Sequence, residues 1–178
     1  MSGACLARAV LDSAELRGAH FTGAELPGAL FRGAVLDSAS FEGARLDSAS
    51  FRLASLIGAD LSESSAVRTD FGFARMQCAL LGNGALAQAN FTLTDLRWSY
   101  FGGAELGSAL NLTETDSVRN ATFDGAEGMP TAVASQLRAR GALLEQVSDL
   151  TWYQPRIAQF AADSACDMSK RRREGRRG

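Results

Sequence analysis

The sequence is poor in the residues that most often carry catalysis or metal binding. It has one histidine, His20, and three cysteines, Cys5, Cys78 and Cys166, in 178 residues. A single imidazole excludes a His-rich metal site and leaves little material for a His-based triad. The cysteines lack the C-x-x-C spacing of a zinc site. Odd in number and far apart, they suit free thiols in a reducing compartment better than a disulfide framework. No apolar run approaches the roughly 18–20 residues needed to cross a bilayer. The opening Met-Ser-Gly-Ala-Cys-Leu has no basic leader, and charge appears by Arg8 and Asp12. The expectation is a cytoplasmic chain with no membrane association. No phosphate-cradling glycine motif is present. Carboxylates spaced like an acid/base pair, Asp60 with Glu63 or Asp12 with Glu15, read as solvated surface. No cofactor, no metal and no catalytic residue is expected.

Net charge is small, −2, but unevenly placed. Residues 170–178 carry six cations and Glu174, a net of +5, so residues 1–169 carry −7. Such a tail reads as a disordered basic terminus able to bind nucleic acid weakly at most. Residues 1–110 contain eleven acids and eight arginines, a net of −3, and along the sequence Arg17, Arg32, Arg52 and Arg97 interrupt any acidic stripe.

What the chain has in abundance is one repeat. Stepping by five from Leu6 to Leu106 visits 21 sites, of which 19 are Leu or Phe; the exceptions are Ala66 and Met76. Two residues earlier, 16 of the 21 sites are Ala, and the rest are Ser64, Thr69, Gly84, Thr94 and Ser99, all small. A period of five fits neither simple element. On an α-helix, successive leucines drift by about 140°. On a flat strand they alternate faces. The pattern works only if the chain turns a corner once per repeat. Ala and Leu/Phe, two apart, then face the interior, the residue between them faces out, and the last two form the corner. Corner formation accounts for Gly18, Gly23, Gly28, Gly33 and Gly43 and for the Asp-Ser pairs at 12–13, 37–38 and 47–48.

The strings Ala14-Glu15-Leu16-Arg17-Gly18 and Ala24-Glu25-Leu26-Pro27-Gly28 resemble the pentapeptide repeat protein family. The resemblance implies an all-β solenoid, a right-handed quadrilateral β-helix with four repeats per coil and about five coils here. A sort of the central sites by twenty agrees with four sides. All seven Phe of the tract fall on one opposing pair of faces: Phe31, Phe51, Phe71 and Phe91 on one, Phe21, Phe41 and Phe101 on the other. Leu occupies the remaining pair, interrupted by Ala66 and Met76. At Ala66 a small cavity or local bulge is expected.

Phase is lost after Leu106, and Ala121-Thr122-Phe123-Asp124-Gly125 resumes it two residues out of step. The β-helix is therefore placed at 1–128, with an irregular loop at about 111–120. Residues 129–169 are a C-terminal helical cap or dimerisation module, with a helix from Pro130 to Arg140 stopped by Gly141. A second helix is expected from Pro155. Within this module Trp152, Tyr153, Ile157 and Phe160 are candidate dimer contacts, because the resemblance implies a homodimer through the C-terminal part. The N-terminus has no cap of its own, and a partner chain is one expected cover for it.

Outward positions give a further set of candidates. Leu53, Phe73 and Leu93 occupy one corner position in three successive coils, an apolar ladder on a polar surface. Ile57, Cys78 and Trp98 lie near the next corner, with Tyr100 on the adjoining side. These residues are candidate partner-binding positions, or a surface for the C-terminal segment. The resemblance also implies a function: a DNA-mimicking rod that binds DNA gyrase or another topoisomerase and confers resistance to topoisomerase poisons. A structural adaptor of another protein, and an accessory small-molecule binder or catalyst near Trp98 and Tyr100, are the alternatives.

Overall fold

A computed structural model describes residues 1–109 and 111–144, all within one compact unit, Met1–Glu145. Pro155 to Lys170, the candidates Trp152, Tyr153, Ile157 and Phe160, and the basic tail lie outside the described residues.

The chain winds into a β-solenoid with a coil of twenty residues. Parallel bridges join Cys5 to Glu25, Val10 to Leu30, Glu15 to Val35 and His20 to Ser40, and continue at the same spacing to Ala85 with Glu105. Each face contributes one bridge residue per coil, so pairing is confined to isolated bridges and no longer strand is present among the described residues.

Within one repeat nearly every backbone group has an assigned place. The outward residue donates to the small-site carbonyl of the preceding coil, as Glu25 does to Ala4 (2.9 Å). The Leu/Phe N–H donates to the outward residue of the next coil, as Leu26 does to Arg45 (2.8 Å). The next Ala N–H closes a β-turn on the Leu/Phe carbonyl, as Ala29 does on Leu26 (3.1 Å). The second corner residue, at positive φ, donates to the first corner residue of the next coil, as Gly28 does to Asp47 (2.9 Å).

One donor per repeat has no place in this scheme: the N–H of the first corner residue. Aspartates supply the acceptor in two ways. Asp12, Asp37 and Asp47 reach one coil ahead to the N–H groups of Arg32, Ile57 and Val67 (2.8, 3.2 and 3.3 Å). Asp60, Asp70 and Asp95 turn onto Ser62, Gly72 and Arg97 two residues on (3.0, 2.9 and 3.2 Å). Every aspartate in residues 1–110 thus serves the backbone.

The core is built from the expected columns. Phe21 and Phe41 stack at 4.9 Å and 7°, and Phe31 and Phe51 at 4.8 Å and 2°. Across the interior the two columns meet edge to face, Phe31 to Phe41 at 5.8 Å and 86°. Stacking within a column and T-shaped contact between columns are the two arrangements aromatic quadrupoles favour. The larger small-site residues are satisfied too: Thr69 Oγ1 donates to the Leu46 carbonyl and Thr94 Oγ1 to that of Phe71, each at 2.8 Å.

At Ala66 the structure corrects the expectation of a bulge. Ser65 bridges both Arg45 and Ala85, and Ala66 N–H meets the Ala85 carbonyl at 2.8 Å. The ladder uses main-chain groups alone, so a small central side chain does not disturb it.

Beyond Leu106 the coil lengthens instead of ending. A 3-10 turn at Leu112–Glu114 absorbs two extra residues, and pairing resumes as Asp95 with Ser117, Tyr100 with Thr122 and Glu105 with Glu127. Phe123 stacks on Phe101 at 4.6 Å. Helix α1, Thr131–Ala139, begins after Pro130 and buries Leu137 completely. Arg140 at its end donates to the carbonyls of Thr113 (2.8 Å) and Thr115.

Candidate functional site

The ladder of Leu53, Phe73 and Leu93 exists as spaced. Their N–H groups donate in turn to Gly72, Thr92 and Glu114, which places them in register along one corner. They are 64%, 37% and 47% exposed. All three sit at the second corner position with φ of 63°, 61° and 53°. Glycine adopts that conformation without penalty, whereas a bulky side chain there is an outlier. The Arg52 guanidinium lies 4.4 Å from the centre of the Phe73 ring, a cation–π contact.

The other candidates do not join this ladder. Ile57 is buried, at 6% exposure, and so offers little to a partner. Trp98 is half-buried on a different corner, with Arg97 5.7 Å from its ring centre. Asp95 holds Arg97 through several hydrogen bonds, which raise the guanidinium pKa above its ordinary value against the opposing effect of desolvation. Of the cysteines, Cys5 is a free exposed thiol, as expected.

Trp98 and Tyr100 point to different corners. The Tyr100 ring lies across the glycines of the corner that follows it. A Cβ on Gly82 would fall 2.7 Å from Tyr100 Cε1, and one on Gly102 would fall 2.1 Å from its Oη. Neither glycine has a positive φ, so both are there for the space they leave.

A second surface was missed by reading charge along the chain. One face carries the bridged column His20, Ser40, Asp60, Leu80, Tyr100 and Thr122. The corner after it carries Thr22, Glu42, Ser62, Gly82, Gly102 and Asp124, then Gly23, Gly43, Glu63, Asn83, Gly103 and Gly125. This face and corner hold four acids, Glu42, Asp60, Glu63 and Asp124, and neither Lys nor Arg. The arginines that interrupt the sequence lie elsewhere: Arg17 pairs with Glu15, Arg32 with Asp12 and Arg97 with Asp95, Arg52 lies over the Phe73 ring, and Arg45 pairs with Glu25 and Asp47. Sorting outward positions by twenty, as was done for the core, is the signal that finds this segregation.

Among the described residues no helix is long and apolar enough to cross a membrane, and no group of three His, Cys, Asp or Glu side chains could hold a metal ion.

The family model described as Pentapeptide repeats matches residues 14–52 in eight copies. Among solved structures, the chain is similar to a pentapeptide repeat protein of the Arabidopsis thaliana thylakoid lumen, with 28% identity and a TM-score of 0.55 over 70% of this chain and 88% of that one. It also matches HetL, a pentapeptide repeat protein involved in heterocyst differentiation regulation in Nostoc sp. strain PCC 7120, at 24% identity and a TM-score of 0.43 over 82% and 72%. Full-length QnrB1, a plasmid-mediated fluoroquinolone resistance protein, matches at 19% identity and a TM-score of 0.40 over 80% and 90%. Among curated proteins none matches the chain.

Proposed function

Because this chain carries pentapeptide repeats wound into a β-solenoid, we propose that it is a non-catalytic protein-binding module that meets its partner along the Leu53–Phe73–Leu93 corner. One observation carries this: three bulky apolar side chains, in three successive coils, stand in a left-handed conformation and remain exposed. The conformation costs roughly 1–2 kcal/mol per residue. Core burial does not offset it, since the side chains lie outside the core. An apolar ridge kept at the expense of backbone strain fits a surface that is covered in a complex.

A DNA topoisomerase is the partner the sequence resemblance implies, by mimicry of a duplex. The coiled tract supplies ordered surface for this. A gyrase supercoiling assay with the full chain, with and without a fluoroquinolone, tests the assignment. The expected outcome is inhibition or protection that is weakened at least tenfold by Phe73→Asp. No effect with the chain in large excess would leave the protein-binding module as an adaptor of a different partner.

The rest of the architecture fits this role. Helix α1, with Leu137 buried and Arg140 on the Thr113–Thr115 segment, acts as a cap on the last coil in this reading. The homodimer is assigned to residues 150–178 on the sequence resemblance alone. Sedimentation of the full chain against one ending at residue 149 tests it, and a dimer that survives truncation sinks it.

A further inference from the structure

We infer that the face carrying Asp60, Leu80 and Tyr100 is a second docking surface, for a basic protein segment with an apolar side chain at its centre. The inference rests on the protein-binding role but concerns a different surface from the Leu53 corner. Leu80 is an outward residue on this face, 42% exposed. Its neighbour one coil on is Tyr100, bridged to it as Leu80↔Tyr100. Coils lie ~4.8 Å apart, so the two side chains form one contiguous apolar patch. The patch is held in place. Tyr100 lies flat on Gly82 and Gly102, two positions whose φ would accept any residue but whose Cβ the ring would meet. A ring seated in this way has given up its rotamer freedom before a partner arrives, which lowers the entropy cost of binding.

Charge identifies the occupant. Around the patch stand Glu42 and Glu63, both exposed, with Asp60 and Asp124 half-buried. None of the four is in an ion pair among the described residues, while Asp12, Glu15, Glu25 and Asp95 on other faces each hold an arginine. Asp60 accepts the Ser62 N–H. An apolar centre inside an acidic rim, with no cation in either column, suits Lys or Arg side chains flanking a Leu- or Phe-sized contact and disfavours an anionic polymer.

The test is fluorescence anisotropy of a labelled peptide in which Arg alternates with Leu, titrated with the full chain at low and at physiological salt. Binding that weakens with salt is expected. The variant Glu42→Gln/Glu63→Gln/Asp124→Asn should weaken it about tenfold, and Leu80→Ser by a similar factor. Glu15→Gln/Glu25→Gln, which removes acids paired on other faces, should leave it unchanged. Thermal melts of every variant exclude unfolding as the cause. The inference is overturned if the peptide does not bind, if the Glu15/Glu25 variant loses as much affinity as the triple variant, or if Leu80→Ser has no effect. Phe73→Asp separates this surface from the first. It should abolish capture by a partner at the Leu53 corner and leave peptide affinity intact, so either surface can fail alone.

Discussion

At the scale of single residues, the fold makes one unusual demand: the second residue of every corner must adopt positive φ. Glycine meets it at Gly18, Gly23, Gly28 and Gly33, and serine at Ser13, Ser38 and Ser48. Leu53, Phe73 and Leu93 meet it against their steric preference. If they are retained for binding, exchange for a residue at ease in the left-handed region should stabilise the chain. Leu53→Asn is the clearest case, because Leu53 is 64% exposed and loses little packing. The expected gain is about 0.5–1 kcal/mol, read as a higher urea midpoint at unchanged slope. A loss of stability would instead mean that Leu53 packs against something that protects it.

At the scale of the repeat and the coil, stability depends on side chains that act one turn away. Asp47 appears in the sequence as an ordinary turn residue beside Ser48, yet its Oδ1 accepts from Ser65 Oγ (2.6 Å) and the Val67 N–H (3.3 Å), while Arg45 donates to Oδ2 (3.1 Å). Removing it leaves the Val67 N–H without its acceptor. Asp47→Ala should cost about 1–3 kcal/mol, more than an exposed carboxylate would. Urea titration of Asp47→Ala beside Glu42→Ala, an exposed acid with no backbone duty, is the comparison that checks it. This also marks the limit of what the sequence made legible. The Phe and Leu columns were visible because like residues recur every twenty positions. The aspartates were visible as turn formers, but which N–H each would meet depends on coil register and on the choice between reaching ahead and turning back. The Tyr100 seat was hidden because Gly82 and Gly102 look like other corner glycines, although they occupy the first corner position and serve the ring, not the turn. The acidic face was hidden because charges were counted along the chain, where Arg17, Arg32, Arg52 and Arg97 intervene, and not down the columns, where they do not.

At the scale of the molecule, twenty residues is the unit that matters, although the sequence advertises five. In a solenoid each coil touches only its neighbours, so stability is close to a sum of coil and interface contributions. That makes whole-coil deletion tolerable. Excising residues 27–46 joins Leu26 to Asp47 and returns every later residue to the column it would have occupied, with Phe51 taking the place of Phe31. The backbone ladder, the Phe stacks and the parts of both proposed surfaces beyond residue 47 keep their register, and Glu42 is the one acid of the rim removed. Excising residues 27–31 alone keeps the five-residue pattern perfect but rotates everything after it by one face. Phe columns beyond the cut would then meet Leu columns before it. Phe21, left before the cut, then meets Leu columns in place of Phe31 and Phe41 and loses an edge-to-face and a stacked contact, at about 0.5–1.5 kcal/mol each, together with the reach of Asp12 to the Arg32 N–H. The shorter deletion should therefore be the more damaging one. Urea titrations of the two variants should place the twenty-residue deletion nearer the parent chain, although it removes four times as much of it. Equal loss from both would mean that the interior accepts Leu and Phe interchangeably, and that the columns record the history of the repeat, not its packing.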